Sequence, residues 1–288
     1  MKKIICLLVI AAYPAFANAG AFTADPPNAL PAGMGGAHTA VRGEVTSIDY
    51  NPAGLAGIDD LKLLFTYRDF HSLNLIGHSY AGAALPVGVH TSMGVSYNRI
   101  GTTGRVDFTD YSEEMISLGL GSYTGILPGL RAGGLFSFYR VVAAENATGF
   151  GFSAGLMWAP ENVQGLDLGL YVRNLNNARI AWTSGAVDRL SPGIAGGASY
   201  VHESGVSGAV SFDRTFRAGA QYLLPGDIFS VRAGFRALPD FRGAPSAGLS
   251  ASYGRFRLDY AAESHPELGL SHFFTVNVSV ERIEDEIF

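Results

Sequence analysis

Cysteine and lysine are almost missing from this sequence. Its 288 residues include one cysteine, Cys6, and three lysines, Lys2, Lys3 and Lys62. Charged residues make up 16%, where about a quarter is usual for a soluble globular protein. No run of about 18 uninterrupted apolar residues occurs after the N-terminus, which excludes a helical membrane span there. Lys2 and Lys3, the apolar stretch Ile4–Phe16 and the small-residue site Ala17-Asn18-Ala19 have the form of a cleaved secretory signal over residues 1–19. Cys6 lies inside it, so the mature chain is expected to carry no disulfide, no thiol chemistry and no Cys-ligated metal. Losing Lys2 and Lys3 moves the net charge from -5 to -7, which argues against a nucleic-acid partner.

Apolar residues are plentiful, at 48%, and 37 residues are glycine, well above the usual share of about 7%. An exported, apolar, glycine-rich chain without membrane helices leaves a secreted β-sandwich or solenoid, or an outer-membrane β-barrel. Alternation separates them. In Ser271–Arg282, Phe274, Val276, Val278 and Val280 share one face, opposite Thr275, Asn277, Ser279 and Glu281. Phe256, Leu258, Tyr260 and Ala262 likewise oppose Arg255, Arg257, Asp259 and Glu263, and Leu166, Leu168, Leu170 and Val172 oppose Asp167, Gly169, Tyr171 and Arg173. A sandwich would clothe its polar face in Lys and Glu. Here that face is Gly, Ser, Asn and Arg, and aromatic residues gather at strand ends, as the interfacial girdles of a barrel do.

The pattern predicts an all-β, transmembrane antiparallel barrel over residues 61–281, with fourteen strands and twelve as the alternative. An even count brings both ends of the wall to the periplasmic side. Compact breakers such as Pro86-Val87-Gly88, Pro225-Gly226-Asp227 and Tyr253-Gly254 fit periplasmic turns, and the longer connections 101–113, 174–190 and 239–244 fit the outside. Arg282, Glu284 and Glu286 break the last strand's apolar face, so residues 282–288 are expected to form a periplasmic tail. Residues 20–60 do not alternate. Glycine clusters permit close backbone approach, which suits a segment threaded into a narrow barrel, although a linker or periplasmic module would look similar.

Two elements of that segment, Ala32-Gly33-Met34-Gly35-Gly36-Ala37 and Asp49-Tyr50-Asn51-Pro52-Ala53-Gly54-Leu55, resemble the N-terminal signature of FadL-like outer-membrane proteins. The stretches Leu168–Leu175, Val231–Phe235, Leu258–Tyr260 and Leu268–His272 are similar to the shorter PorV/PorQ-type branch. The resemblance implies a fourteen-stranded barrel with residues 20–60 as a hatch, its motif being Gly33, Met34, Gly35, Gly36, Asn51, Pro52, Ala53 and Gly54. It also implies passive transport of small hydrophobic solutes, or PorV-like binding of secreted proteins at the cell surface in a type IX secretion role. A purely structural barrel is the third reading.

Chemistry is sparse. The seven histidines show no metal-ligand spacing. Asp107, Asp110, Glu113 and Glu114 lack the EF-hand pattern and read as a solvated acidic loop. No nucleophile-elbow motif is present, so no catalysis, cofactor or metal is expected. The charges expected in the lumen are Arg173, Arg217, Arg232, Arg236, Arg255, Arg257, Asp259 and Glu263. They form either a network that props the wall and holds the hatch, or a selectivity surface for a polar or anionic solute. Ile180, Trp182, Leu190, Leu238 and Phe241 are the loop residues that could build an apolar pocket at the extracellular mouth. Expected partners are outer-membrane lipid and lipopolysaccharide, the barrel-assembly machinery and periplasmic chaperones, and a small apolar ligand or a secreted protein.

Overall fold

The computed structural model describes Phe22 and residues 27–72, 75–102, 111–237 and 242–280. The expected signal, Asp107, Asp110, Leu238, Phe241, Glu281 and the tail 282–288 lie outside the described residues. Period-two patterning becomes strand throughout: β1 (Leu61–Asp69), β2 (Ile76–Pro86), β3 (Thr91–Thr102), β4 (Ser112–Tyr123), β5 (Leu130–Val142), β6 (Asn146–Trp158), β7 (Leu166–Arg173), β8 (Ala178–Trp182) and β9 (Val187–Leu190). The second half continues with β10 (Gly193–Val201), β11 (Val206–Phe212), β12 (Phe216–Leu223), β13 (Phe229–Ala237), β14 (Gly243–Tyr253), β15 (Phe256–His265) and β16 (Gly269–Val280).

Fourteen of these strands, β1–β7 and β10–β16, form an antiparallel wall. It closes where β1 pairs with β16, from Leu61↔Val280 to Asp69↔His272. The twelve-strand alternative is thereby removed. β8 and β9 make a hairpin within the expected long connection 174–190, and β8 extends β7 upward by pairing with Ala147–Gly149 of β6. β1 starts and β16 ends at the same end of the barrel, where the turns are compact.

Burial is inverted relative to a water-soluble protein. Phe274, Leu258, Leu118 and Leu170 are 47–56% exposed on the outside, while Asp259, Glu263, Arg217 and Arg232 are buried on the inside. That is the pattern a lipid-facing barrel requires. Tyr67, Tyr123, Trp158, Tyr200 and Tyr222 lie outward near strand ends, and Tyr97 lies outward at the middle of β3. Tyr139, expected among them, instead points inward and is buried, because it shares the inward register of Leu135 and Ser137.

Ahead of the wall come two short helices, α1 (Ala29–Gly33) and α2 (Ser47–Tyr50), and the 3₁₀ turn Pro52–Gly57. Asn28 caps α1 by accepting from Leu30 N at 3.2 Å, and Gly35 and Gly36 end it with φ of +64° and +82°. Such angles favour glycine.

Candidate functional site: the bore and the segment within it

Residues 28–58 touch inward-facing positions on all fourteen wall strands. Van der Waals contact accounts for most of this, and glycine on the wall makes the room. A Cβ on Gly82 would lie 2.6 Å from Val45 Cγ1, and one on Gly94 2.7 Å from Ile48 Cδ1. One on Gly121, Gly133, Gly155 or Gly169 would overlap Pro52, Ala53, Asn51 or Thr39 respectively. On the other side, Gly219 and Gly234 receive Met34 and Gly35, and Gly248 receives Gly33. The remaining strands supply small or polar groups: Ser211 Oγ of β11 accepts from Thr39 N at 3.2 Å, and Thr275 Oγ1 of β16 accepts from Ala29 N at 3.0 Å.

Asn51 explains the Asn-Pro-Ala-Gly element. Its Oδ1 accepts from Ala53 N at 3.2 Å and so caps the 3₁₀ turn. Its Nδ2 donates to Thr39 O at 2.9 Å and Leu156 O at 3.1 Å, joining two parts of the segment to β6. Pro52 at the first position needs no N–H partner, and Leu55 enters a buried cluster with Val45, Ile48, Leu64 and Tyr80. Gly33, Met34, Gly35, Gly36, Asn51, Pro52, Ala53 and Gly54 are all buried.

The charges come together only in part. Arg232 Nη1 and Arg257 Nε donate to the two oxygens of Asp259, each at 3.0 Å, and Arg257 holds Glu44 of the segment through two bonds of 3.1 and 3.0 Å. Burial opposes the Glu44 charge, yet the Arg257 guanidinium outweighs it and holds the carboxyl down at about 2. Arg236 pairs with Glu263, and Arg217 with Asp213 at 2.8 Å. Arg173 faces the lumen beside Tyr171, its Cζ 6.0 Å from that ring. Arg255 does not join them. It sits exposed in the turn after Gly254, because β15 begins one residue later.

Sequence reasoning missed a second ionic clasp. Asp167 of β7 is held by Arg131 of β5 at 2.9 Å and by Arg42 of the segment at 3.3 Å. Arg131 and Asp167 were within reach of the alternation rule, as both occupy inward positions. Glu44, Arg42 and Asp49 were not, since the segment has no period. Burial pushes the Asp49 carboxyl up, against hydrogen bonds from Tyr80 Oη at 2.9 Å and Ser96 Oγ at 3.3 Å.

Between the segment and the far end lies a cavity of about 70 Å³, bordered by Asp49, Tyr50, Tyr139, Tyr171, Arg173 and Arg217. A cavity that admits benzene measures about 150 Å³, so this cavity is too small for such a solute as it stands. Ile180, Trp182 and Leu190 do meet, but as a packed cluster with Tyr139, Val141 and Ala147, joined by Phe22 and Met115, rather than as an open pocket. Among the described residues no group of three or more His, Asp or Glu side chains is placed to hold a metal.

Beside the cavity the wall has an interrupted seam. β6 pairs with β7 over Ala154–Trp158 and with β8 over Ala147–Gly149, which leaves residues 150–153 without ladder partners on that side. Asn174 and Asn177 turn the chain with φ of +52° and +50°. One backbone bond, from Leu175 N to Phe152 O at 2.7 Å, and side chains close the gap: Asn176 Nδ2 donates to Phe150 O at 3.1 Å, its Oδ1 accepts from Phe152 N at 3.0 Å, and Tyr139 Oη donates to Asn174 Oδ1 at 2.8 Å. Phe136, Phe150 and Phe152 cluster on the outer face there.

No protein-family model matches the chain, and no curated protein does. Solved structures do. A Pseudomonas aeruginosa FadL homologue aligns over 91% of this chain and 100% of its own at a TM-score of 0.65 and 11% identity. The P. putida toluene transporter TodX aligns over 88% and 99% (TM-score 0.66, 10% identity), and the monoaromatic hydrocarbon channel CymD over 93% and 100% (0.65, 12%). Likeness at such identity speaks for fold alone, and the fold is that of the FadL-like outer-membrane barrels.

Proposed function

We propose that this protein passes small, largely apolar solutes across an outer membrane without an energy source, with residues 20–60 as the hatch. The carrying observation is a closed barrel whose described N-terminal segment, residues 28–58, packs against every wall strand inside the bore, beside a cavity of about 70 Å³. A segment so packed would have to move for a solute to cross the bore, or the solute would have to leave sideways. The β6–β7 seam supports the second route: one backbone bond and a few side-chain bonds stand there in place of a strand ladder, and the aromatic cluster outside offers apolar contact. The hydrocarbon channels with the same fold support this solute class. They lend nothing to PorV-like protein docking.

The test measures uptake of radiolabelled toluene by cells with and without the protein, and single-channel conductance of the full chain against a form lacking residues 20–60. Faster uptake and a raised conductance in the shortened form are expected. Equal uptake with and without the protein overturns transport, and unchanged conductance overturns the hatch.

A further inference from the structure

His38 follows the glycine-rich run of the segment and has no solvent exposure. Among the described residues neither of its ring nitrogens has a hydrogen-bond partner. Buried polar groups are nearly always satisfied, so an orphaned imidazole calls for a reason. The ring cannot swing away while the segment is seated. Before it, Met34 and Gly35 are lodged against Gly219 and Gly234. After it, Thr39 is tied to Ser211 and Asn51. The edge of Tyr50, from α2, lies 5.0 Å from the His38 ring.

The charged groups acting on His38 are Glu44 of the same segment, Arg232 of β13 and Arg257 of β15. Both Glu44 oxygens are already bonded to Arg257. A proton on His38 would therefore add a third cation to a buried cluster in which Arg232 and Arg257 are already matched by Asp259 and Glu44. Competition for Glu44 would loosen the bond that ties the segment to β15.

We propose that His38 makes the segment an acid-released stopper, seated while the imidazole is neutral and unseated when it takes a proton. Burial, helped by the two arginines and opposed by Glu44, lowers His38 from 6.5 to about 4. An unseated segment would expose the ring and restore its ordinary value of about 6.5. Seating is thus at full strength above pH 6.5 and is lost as pH falls towards 4, by up to about tenfold per pH unit. Below 4 both states hold the proton and this group adds no further dependence.

The inference needs residues 20–60 to act as a stopper, but it does not depend on the solute. The full chain is placed in planar bilayers and its open fraction recorded from pH 7.5 to 4, for wild type and His38→Leu. A wild-type rise approaching about tenfold per unit between pH 6 and 4, flattened in His38→Leu, is expected. An identical rise in both, or none in wild type, overturns the proposal. A second measurement needs no variant: histidine C2 hydrogen–deuterium exchange, read by mass spectrometry on wild type. Slow exchange at His38 with a midpoint near 4 is expected, whereas fast exchange with a midpoint near 6.5 overturns the proposal. If deleting residues 20–60 leaves conductance unchanged, the hatch itself fails. If deletion opens the pore and His38→Leu keeps the wild-type profile, only the histidine trigger fails.

Discussion

The bore grips its segment differently on its two sides. Along the arc from β2 to β7, every strand turns a glycine inward where the segment passes, and backbone, aliphatic carbon or, at Gly155, the Asn51 amide lies where a Cβ would be. Across β15, β16 and β1, no glycine faces the segment, and Arg257, Asp259, Phe273, Thr275 and Arg68 fill the inward positions instead. The first side is fitted mainly by shape, with the Arg42–Asp167–Arg131 clasp beside it, and the second mainly by side chains that reach, with Ala29 and Ala32 packed on Ala261 and Phe273. Glycine inside a strand costs roughly 0.5–1 kcal/mol relative to alanine, so a belt of them needs an offset, which the close packing of the segment supplies. Charge tolerates a gap of several ångströms but only while each ion keeps its partner.

The largest effect should come from breaking the charged side. Asp259 is 3% exposed and bonds Arg232, Arg257, Ser250 and Asn277. Asp259→Ala would leave the buried Arg232 guanidinium without its carboxylate and Arg257 with Glu44 alone, and removing one partner of a buried pair costs about 3–5 kcal/mol. Urea unfolding of the barrel should show that loss, with Asp259→Asn falling between the two. A midpoint unchanged by Asp259→Ala would mean that β13–β15 do not depend on this network.

A smaller effect is expected from the side fitted by shape. A Cβ on Gly133 would overlap Pro52 and Ala53 at backbone atoms, which no rotamer change relieves. Overpacking of this kind costs about 1–3 kcal/mol, and it falls on the segment, because the wall ladder is untouched. Gly133→Val should therefore raise conductance and expose residues 28–58 to protease while the barrel stays folded. Gly134, one residue on, faces outward with nothing within 4 Å of a Cβ, so Gly134→Ala should be silent in both assays. Equal behaviour of the two variants would remove shape from the account.

That contrast also shows what the sequence made legible. Strand positions were readable because a wall with lipid outside and a filled bore inside enforces period two. Leu166, Leu258 and Phe274 fall outward as alternation requires. The excess of glycine was visible, but its arrangement as a belt was not, since that depends on register between strands far apart in sequence. In the segment, Asn51 and Gly35 were singled out only through the family resemblance. Glu44, Arg42 and His38 were not singled out, because their partners come from β15, β7 and α2 and no local pattern anticipates them. The apolar loop residues Ile180, Trp182 and Leu190 lie in one packed cluster with Tyr139 and Val141, a contact between the β8–β9 hairpin and the wall that no local pattern shows.

The smallest effect expected separates two arginines that alternation treats as equals. Arg255 and Arg257 fall on the same face by period two, yet β15 starts at Phe256 and Arg255 belongs to the turn. Its carbonyl accepts from Ser279 N at 2.9 Å, a bond that any side chain permits. Arg257 holds Glu44 and Asp259 together. Arg255→Ala should shift unfolding by no more than about 0.5 kcal/mol, as exposed sites do, and leave conductance alone. Arg257→Ala should lower the unfolding midpoint and raise conductance together, since it frees the segment and leaves Asp259 with one ion partner fewer. Were Arg255→Ala to unseat the segment as well, the turn would belong to the clasp, and the charged side would extend to the end of the barrel where the chain enters the wall.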